Sequence, residues 1–415
     1  MRALNVWWDG RIAGELTQDD HGELGFSYAG DWLASPGAPA LSASLPKRAK
    51  PFSRRECRPF FGGLLPDEGQ REAAAQALGV SRANDFALLD RLGGDVAGAL
   101  QLLPPDALPQ SAAVNAKPIA LDDEGLIAVL DALPARPLLA GQAGLRLSLA
   151  GAQAKVPVVL VDGKIALPLP GQPTTHILKP SIPHFPGSTE NEAFVMRLAA
   201  AVGLDVAPVE PRMVRGRRFL LVTRYDRARG ADGVRRIHQE DFCQALGVPP
   251  ETKYAAEGGP GFKECFALLR RVSARPAADA LKLLDAAIFN LIVGNADAHG
   301  KNFSILYDAK GPRLAPLYDL LSTVAWPELS SSMAMKMGRR ARLEEMDENG
   351  WRGFAEAAGL SELLVKKNAG SMAQQVSAMS ATTAQTLADA EHNVTGIQEL
   401  AELVIARAEK FTRRL

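Results

Sequence analysis

The chain carries Asn295-Ala-Asp297-Ala-His299-Gly-Lys301-Asn302, followed at a distance by Leu317-Tyr318-Asp319. Asp297 and Asn302 stand five positions apart, and Asp319 comes 17 residues after Asn302. Phosphoryl transfer needs a carboxylate that orients and deprotonates the attacking hydroxyl, and oxygen ligands for the Mg²⁺ that rides on the phosphates. Mg²⁺ is usually held by one or two side chains plus those phosphates. On these grounds Asp297 is the candidate general base, and Asn302 and Asp319 are the candidate metal ligands. His299 is placed to brace the loop, and Lys301 to neutralise the group in transfer. Asn, Asp and Gly also favour plain helix-ending loops. A loop packed with polar and ionisable side chains, walled by apolar elements, is nevertheless where chemistry is expected.

The same Asp-x-x-x-x-Asn spacing occurs in protein kinases, with a second metal ligand on a later loop. Such an enzyme needs a loop over the phosphates and a lysine to contact them. The candidate loop runs from Arg146 to Lys155, where the backbone N–H groups of Leu149, Ala150, Gly151, Ala152 and Gln153 are available to phosphate oxygens. It has a single Gly, and a β-turn between core strands fits it equally well. Lys179 ends a short strand, His176-Ile-Leu-Lys, ahead of a helix carrying Glu190 and Glu192. Thr189-Glu-Asn-Glu192 matches a capping box, so Glu192 is divided between capping and pairing with Lys179. Thr223 and Tyr225 fall where two lobes would join, and a hinge there would offer backbone groups to an adenine edge.

The elements that must position these residues follow from periodicity. Residues 4–33 alternate apolar and polar, with turn signals at Asp9-Gly10 and 19–22, which predicts short antiparallel strands. Helices are predicted over 72–78 and 85–92, with Ser81 as a cap and Gly93-Gly94 as a stop. The Pro/Ala/Ser-rich stretch 104–119 reads as a linker. Strands are expected at 145–149, 156–161, 165–169, 176–179, 206–214 and 219–223, interrupted by a helix from Thr189 to Gly203. Beyond Tyr225 the pattern is mostly helical. A helix over 277–293 leads into the Asp297 loop, a hairpin spans 303–317, and several helices fill 340–415. The resulting expectation is an α+β chain with three parts. Residues 1–105 form a small N-terminal α+β subdomain, 106–225 a β-rich small lobe and 226–415 a mostly helical large lobe.

Length and charge bound the alternatives. A chain of 415 residues is long enough for two or three domains. Lys+Arg and Asp+Glu are both 47, so net charge is zero, which argues against a protein that grips nucleic acid alone through a broad basic surface. Cys57, Cys243 and Cys265 show no C-x-x-C spacing and fit free thiols in a reducing compartment. No apolar run approaches the roughly 20 residues of a membrane helix. The expected location is cytoplasmic.

Eight segments in order resemble the HipA-type serine/threonine protein kinase toxins of bacterial type II toxin–antitoxin systems. They are Phe60-Phe-Gly-Gly-Leu-Leu-Pro66, Leu92-Gly-Gly-Asp-Val-Ala-Gly-Ala99, Ser148–Lys155, Glu190-Asn-Glu192, Val222–Arg227, Gln239–Gln244, Asn295–Asn302 and Leu317–Ser322. The resemblance implies a two-lobed protein-kinase-like fold using ATP and Mg²⁺. It places the base at Asp297, metal ligands at Asn302 and Asp319, the phosphate lysine at Lys179 and the adenine contacts at Thr223–Tyr225. It implies autophosphorylation of Ser148, which ejects the phosphate loop and inactivates the kinase. It also implies a helix-turn-helix, HipB-like antitoxin that carries the complex to its operator DNA. The implied protein substrate is an aminoacyl-tRNA synthetase, such as glutamyl-tRNA synthetase. Thr223 departs from the acidic residue expected at the hinge. Two other readings share parts of the pattern: a kinase-fold corepressor without toxic activity, and a small-molecule phosphotransferase. The latter class lacks the N-terminal module and the Ser-bearing loop.

Overall fold

The computed structural model describes residues 1–109, 117–230, 233–391 and 396–415. The chain begins with an antiparallel sheet of Arg2–Trp8, Arg11–Gln18 and Leu24–Tyr28, completed on the far side of Arg2–Trp8 by Leu100–Leu103. Asp9 and Gly10, both at positive φ (47° and 73°), make the two-residue turn whose twist matches the flanking strands. Helices Arg54–Gly63, Glu68–Leu78 and Asp85–Leu92 cover one face. Phe26, Phe60, Phe61 and Leu88 are fully buried between these layers. Neither Arg54–Gly63 nor Leu100–Leu103 is legible from sequence: the first ends in two glycines and carries Pro59, and the second is four residues long. Asn84, not Ser81, caps the helix Asp85–Leu92, accepting from the Ala87 N–H at 3.0 Å.

The small lobe is a five-stranded antiparallel sheet in the order Lys164–Ala166, Val156–Val161, His176–Pro180, Arg217–Thr223, Val209–Val214. The strand expected at 145–149 does not form a ladder. Leu147 makes one isolated bridge to Asp95, because this segment's backbone is taken by the N-terminal subdomain. A helix, Asp123–Ala132, was not anticipated; Asp122 caps it by accepting from the Gly125 N–H at 2.8 Å. The centre of the expected linker, residues 110–116, lies outside the described residues, and its flanks hold no helix or ladder strand. The helix Ser188–Ala201 starts after Gly187, at φ +74°, and lacks the expected capping box. Thr189 instead bonds Ser181 (Oγ1 to Oγ, 2.8 Å), and Glu192 is released for other work.

After Tyr225 the chain is less helical than its pattern predicts. A hairpin of Arg227–Gly230 and Gly233–Arg236 comes first, and His238–Asp241 then pairs with the hairpin Ser304–Asp308/Gly311–Leu314. Four arginines in its eight strand residues (Arg227, Arg229, Arg235 and Arg236) hide the strand signal of the first hairpin. The helix Pro276–Val293 matches its apolar period, with Pro276 at the first position and Gly294 closing it at φ +80°. Phe262–Val272, Glu348–Ala358, Glu362–Glu391 and Ile397–Thr412 pack around it. The helix Ser188–Ala201 packs into this large-lobe core, whereas the strand bearing Lys179 belongs to the small-lobe sheet, which buries a core of its own. No described helix is long and apolar enough to cross a membrane. All three cysteines are buried and unpaired.

Candidate active site

Between the lobes lies a cleft of about 1000 Å³, and residues from every part of the chain reach it. Its floor is the loop after Gly294. A Cβ at that glycine would collide with Val324, so the sharp left-handed exit is also a close packing point. Two asparagines set the loop's shape. Asn295 accepts from the Asp297 N–H (3.1 Å) and donates to Asn290 (2.8 Å); Asn302 accepts from the His299 N–H (3.0 Å).

The Asp297 carboxylate projects into the cleft with an edge open to solvent and accepts from the Tyr254 hydroxyl at 3.1 Å. Crowding by the surrounding protein, followed by the charge of Asp319, pushes its pKa up to about 6. His299 stands edge-on to Tyr254, with ring centroids 5.4 Å apart. Burial lowers its pKa to about 4, which keeps the imidazole neutral. Lys301 is buried and its ammonium meets Asp67 at 2.6 Å, a partner from the N-terminal subdomain.

Asp319 adopts a positive φ of 59°, uncommon for a non-glycine residue. Its Oδ1 accepts from Lys179 at 2.7 Å and its Oδ2 from the Asn302 amide at 3.0 Å. The Lys179 ammonium also meets both oxygens of Glu192 at 2.8 Å. Desolvation by the cleft walls would raise the pKa of the part-exposed Asp319; Lys179 and Lys155 outweigh it and hold the carboxyl well below its usual range. Burial would lower the Lys179 pKa, and Asp319 and Glu192 together hold it above normal. The donor types fit Mg²⁺, which takes carboxylate and amide oxygens with a nucleotide's phosphates completing the shell; here the Asn302 NH₂ faces Asp319 and its oxygen faces the His299 N–H, so the amide would turn over to ligate. Among the described residues there is no cluster of three or more His, Cys, Asp or Glu that forms a self-sufficient metal cage.

The segment 148–155 arches over the cleft. Gly151, at φ +114°, allows the turn, and a Cβ there would strike the Lys155 ammonium, which donates to the Ala150 carbonyl at 2.8 Å. Burial, then Lys179, lowers the Lys155 pKa to about 8. Leu149, Ala152 and Gln153 also line the cleft, with the Gln153 amide donating to Pro180 O at 3.2 Å. Ser148 is wholly buried, its hydroxyl donating to Leu64 O at 2.6 Å. At the lobe junction the Thr223 N–H is engaged by Pro208 O (2.8 Å), and the Tyr225 ring stacks on Tyr318 at 5.7 Å. Both Thr223 and Tyr225 line the cleft.

The candidate catalytic, nucleotide-binding and metal residues thus lie around one cleft, while Ser148 sits behind the arch and Glu190, outside the cleft, pairs with Arg218 at 3.1 Å. Three that sequence reasoning passed over also reach it: Asp67, Glu68 and Tyr254. Asp67 directly follows the Phe60–Pro66 segment, which matched the family pattern without any role being attached to it.

Two lobes, an arch over the cleft between them, a lysine–glutamate pair and an Asp/Asn/Asp set define a protein-kinase-like fold. Residues 4–103 match the model of the HipA N-terminal domain, and residues 147–385 match that of the HipA-like C-terminal domain. The chain belongs to the HipA family of serine/threonine protein kinase toxins. It is 66% identical over 412 residues (99% of this chain, 98% of the other) to a Sinorhizobium fredii protein provisionally named a kinase. It is 31% identical over 372 residues to the serine/threonine-protein kinase toxin HipA of Shewanella oneidensis, covering 86% of this chain and 82% of that one. The solved complex of Shewanella oneidensis HipA, HipB and operator DNA superposes with a TM-score of 0.83 at 27% identity, covering 98% of this chain and 97% of the other.

Proposed function

We propose that the chain is an ATP- and Mg²⁺-dependent serine/threonine protein kinase and the toxin of a toxin–antitoxin pair. The observation that carries this reading is the contact of Lys179 with both Glu192 and Asp319, the latter 140 residues away, with Asn302 on the same carboxylate. Lys179, held by Glu192, binds the α/β-phosphates. The backbone amides of 149–153 cradle the phosphates from above, and Thr223–Tyr225 receives the adenine edge. Asp297 orients the substrate hydroxyl and takes its proton as the γ-phosphoryl group transfers; a pKa near 6 leaves it ionised at neutral pH. Asn302 and Asp319 would hold Mg²⁺, which would supply charge neutralisation on the phosphates. Neutral His299 braces the loop.

Ser148 is the proposed autophosphorylation site. Its burial against Leu64 O means that modification requires the arch to leave, and a dianion there would be repelled by nucleotide phosphates. The proposed partners are a helix-turn-helix antitoxin and, through it, operator DNA, in keeping with the overall likeness to the Shewanella complex. The proposed substrate is a cytoplasmic aminoacyl-tRNA synthetase, with glutamyl-tRNA synthetase the first to test.

Purified chain incubated with Mg²⁺-ATP should gain one phosphate on the 146–155 peptide by mass spectrometry, and Asp297→Ala should abolish the gain. Full labelling of Asp297→Ala would remove the base assignment. Failure of the wild type to phosphorylate itself or any synthetase would defeat the kinase reading.

A further inference from the structure

We propose that Asp67 is a positioning residue: from the N-terminal subdomain it clamps the catalytic loop and the phosphate loop to each other. Asp67 occupies the N-cap position of the helix Glu68–Leu78, where an aspartate ordinarily accepts from the first-turn N–H groups. Here its carboxylate makes no such bond. The next residue, Glu68, sits at φ +46°, a strained backbone for a non-glycine residue. A forgone cap and a strained neighbour both turn the Asp67 carboxylate into the cleft, where it is 7% exposed.

There it meets Lys301, 234 residues away, at 2.6 Å. Lys301 directly precedes Asn302, and its carbonyl accepts from Tyr318 at 2.7 Å, so this pair fixes the catalytic loop on the side next to Asp319. The backbone of the same residue reaches the other loop: the Asp67 N–H donates to Gly151 O at 3.2 Å, and three residues earlier Leu64 O accepts from Ser148. Glu68 adds a second tie. It pairs with Lys253 at 2.8 Å, and the adjacent Tyr254 donates to Asp297 at 3.1 Å. Segment 64–68 therefore touches the arch and the Lys301 end of the catalytic loop directly, and reaches the Asp297 end through Lys253 and Tyr254. A shift of the arch would be felt at Lys301 and at Asp297. The N-terminal subdomain is thereby part of the kinase's working machinery.

The proposal rests on the kinase reading, and Asp67→Asn tests it, since that change keeps size and backbone N–H but removes the negative charge that faces Lys301 at 2.6 Å and Lys253 at 4.0 Å. kcat should fall about 100-fold from a displaced loop, with a smaller loss of Mg²⁺-ATP affinity, because Lys179 still holds the phosphates while the arch loosens. Lys301→Gln should lose a similar factor, and the double variant should lose no more than the worse single one. Amide hydrogen exchange at 148–153 and 295–302 should rise together in Asp67→Asn without a rise in the helix Pro276–Val293. Multiplying kcat losses, nucleotide affinity that falls in step with kcat, or unchanged exchange at either loop would overturn the clamp. A wild type that transfers no phosphate defeats the kinase reading instead, and the exchange measurement, which needs no transfer, still decides the clamp.

Discussion

Two clusters of charge are drawn into the interior of this molecule, one at the junction of the N-terminal subdomain with the lobes and one in the cleft. At the junction, Asp95 and Asp226 face Arg224, Arg227 and Arg236. Both carboxylates are 3% exposed or less, and every carboxylate oxygen has a partner. Asp226 receives a two-pronged contact from Arg224 (2.9 and 2.7 Å) and the Gly98 N–H at 2.7 Å. In the cleft, Lys155 and Lys179 face Glu192 and Asp319, with Asp297 close to Asp319 and Lys253, and the Asp319 side chain remains 42% exposed. The residue types are the same. What differs is that the junction cluster is saturated by fixed donors and closed, while the cleft cluster keeps carboxylates open toward a space large enough for a nucleotide. Closure converts charge into rigidity, and openness leaves it free for a ligand.

The sharpest way to break that comparison is to remove one charge from each cluster. Asp226→Ala leaves Asp95 alone to offset the buried Arg224, Arg227 and Arg236, and unfolding in denaturant should show a loss of about 3–5 kcal/mol. Lys179→Met should lower phosphate transfer by about 10²–10³-fold with a smaller loss of stability. Burial already pushes the Glu192 pKa up, so that carboxyl can take a proton when the ammonium is gone. Equal destabilisation by the two variants would show that the clusters are not different in kind.

A buried carboxyl outside both clusters sharpens the contrast because no cation bonds it. Glu240 is 1% exposed and accepts from the Ser42 and Tyr307 hydroxyls and from the Ala43 N–H at 2.9 Å. Burial outweighs these donors and raises its pKa from 4.5 to about 7. The folded state therefore keeps a proton that the unfolded chain has already lost between those values. The stabilisation is fully present below about pH 4.5 and disappears as pH rises through about 7, a change of roughly 3 kcal/mol. Neighbouring His238 runs the other way. Burial depresses its pKa to about 4, so its contribution is present above its ordinary value and lost as pH falls through 4. Subtracting the stability of Glu240→Gln at each pH removes His238 from the comparison. The wild-type advantage should shrink by about that amount across the window, and a flat difference would mean that Glu240 is already ionised.

The parts of the site that were legible from sequence are those encoded locally. The 295–302 loop announces itself by its side chains, and the helix before it by an apolar period. The hairpin at Asp9-Gly10 follows from turn chemistry. What could not be read depends on distant partners. The 145–149 segment has the alternation of a strand, but its hydrogen bonds go to Asp95 and Leu64, set by the packing of another subdomain. Thr189 has the spacing of a capping box, yet Ser181 claims its hydroxyl and Lys179 claims Glu192. Asp67 looks like a helix cap and caps nothing, because its partner lies more than half the chain away. Local pattern places elements; contacts between subdomains decide what their polar ends do.

The smallest effect tests whether the open cluster titrates as its surroundings imply. Fixed cations hold the sealed carboxylate of Asp226 far below the usual range, whereas desolvation and then Asp319 lift Asp297 to about 6. If Asp297 is the base, kcat/KM for phosphate transfer should be flat at neutral pH and fall on the acidic side with a midpoint at about 6. The Tyr254 hydroxyl, donating at 3.1 Å, stabilises the ionised carboxylate. Tyr254→Phe removes that donor, so the acidic limb should move to higher pH by less than about one unit. A limb that stays put in the variant would show that the hydroxyl does not reach the ionised base. A wild-type limb near the ordinary aspartate value would show that the cleft leaves Asp297 as well solvated as a surface residue, and the distinction between sealed and open charge would then rest on Lys179 alone.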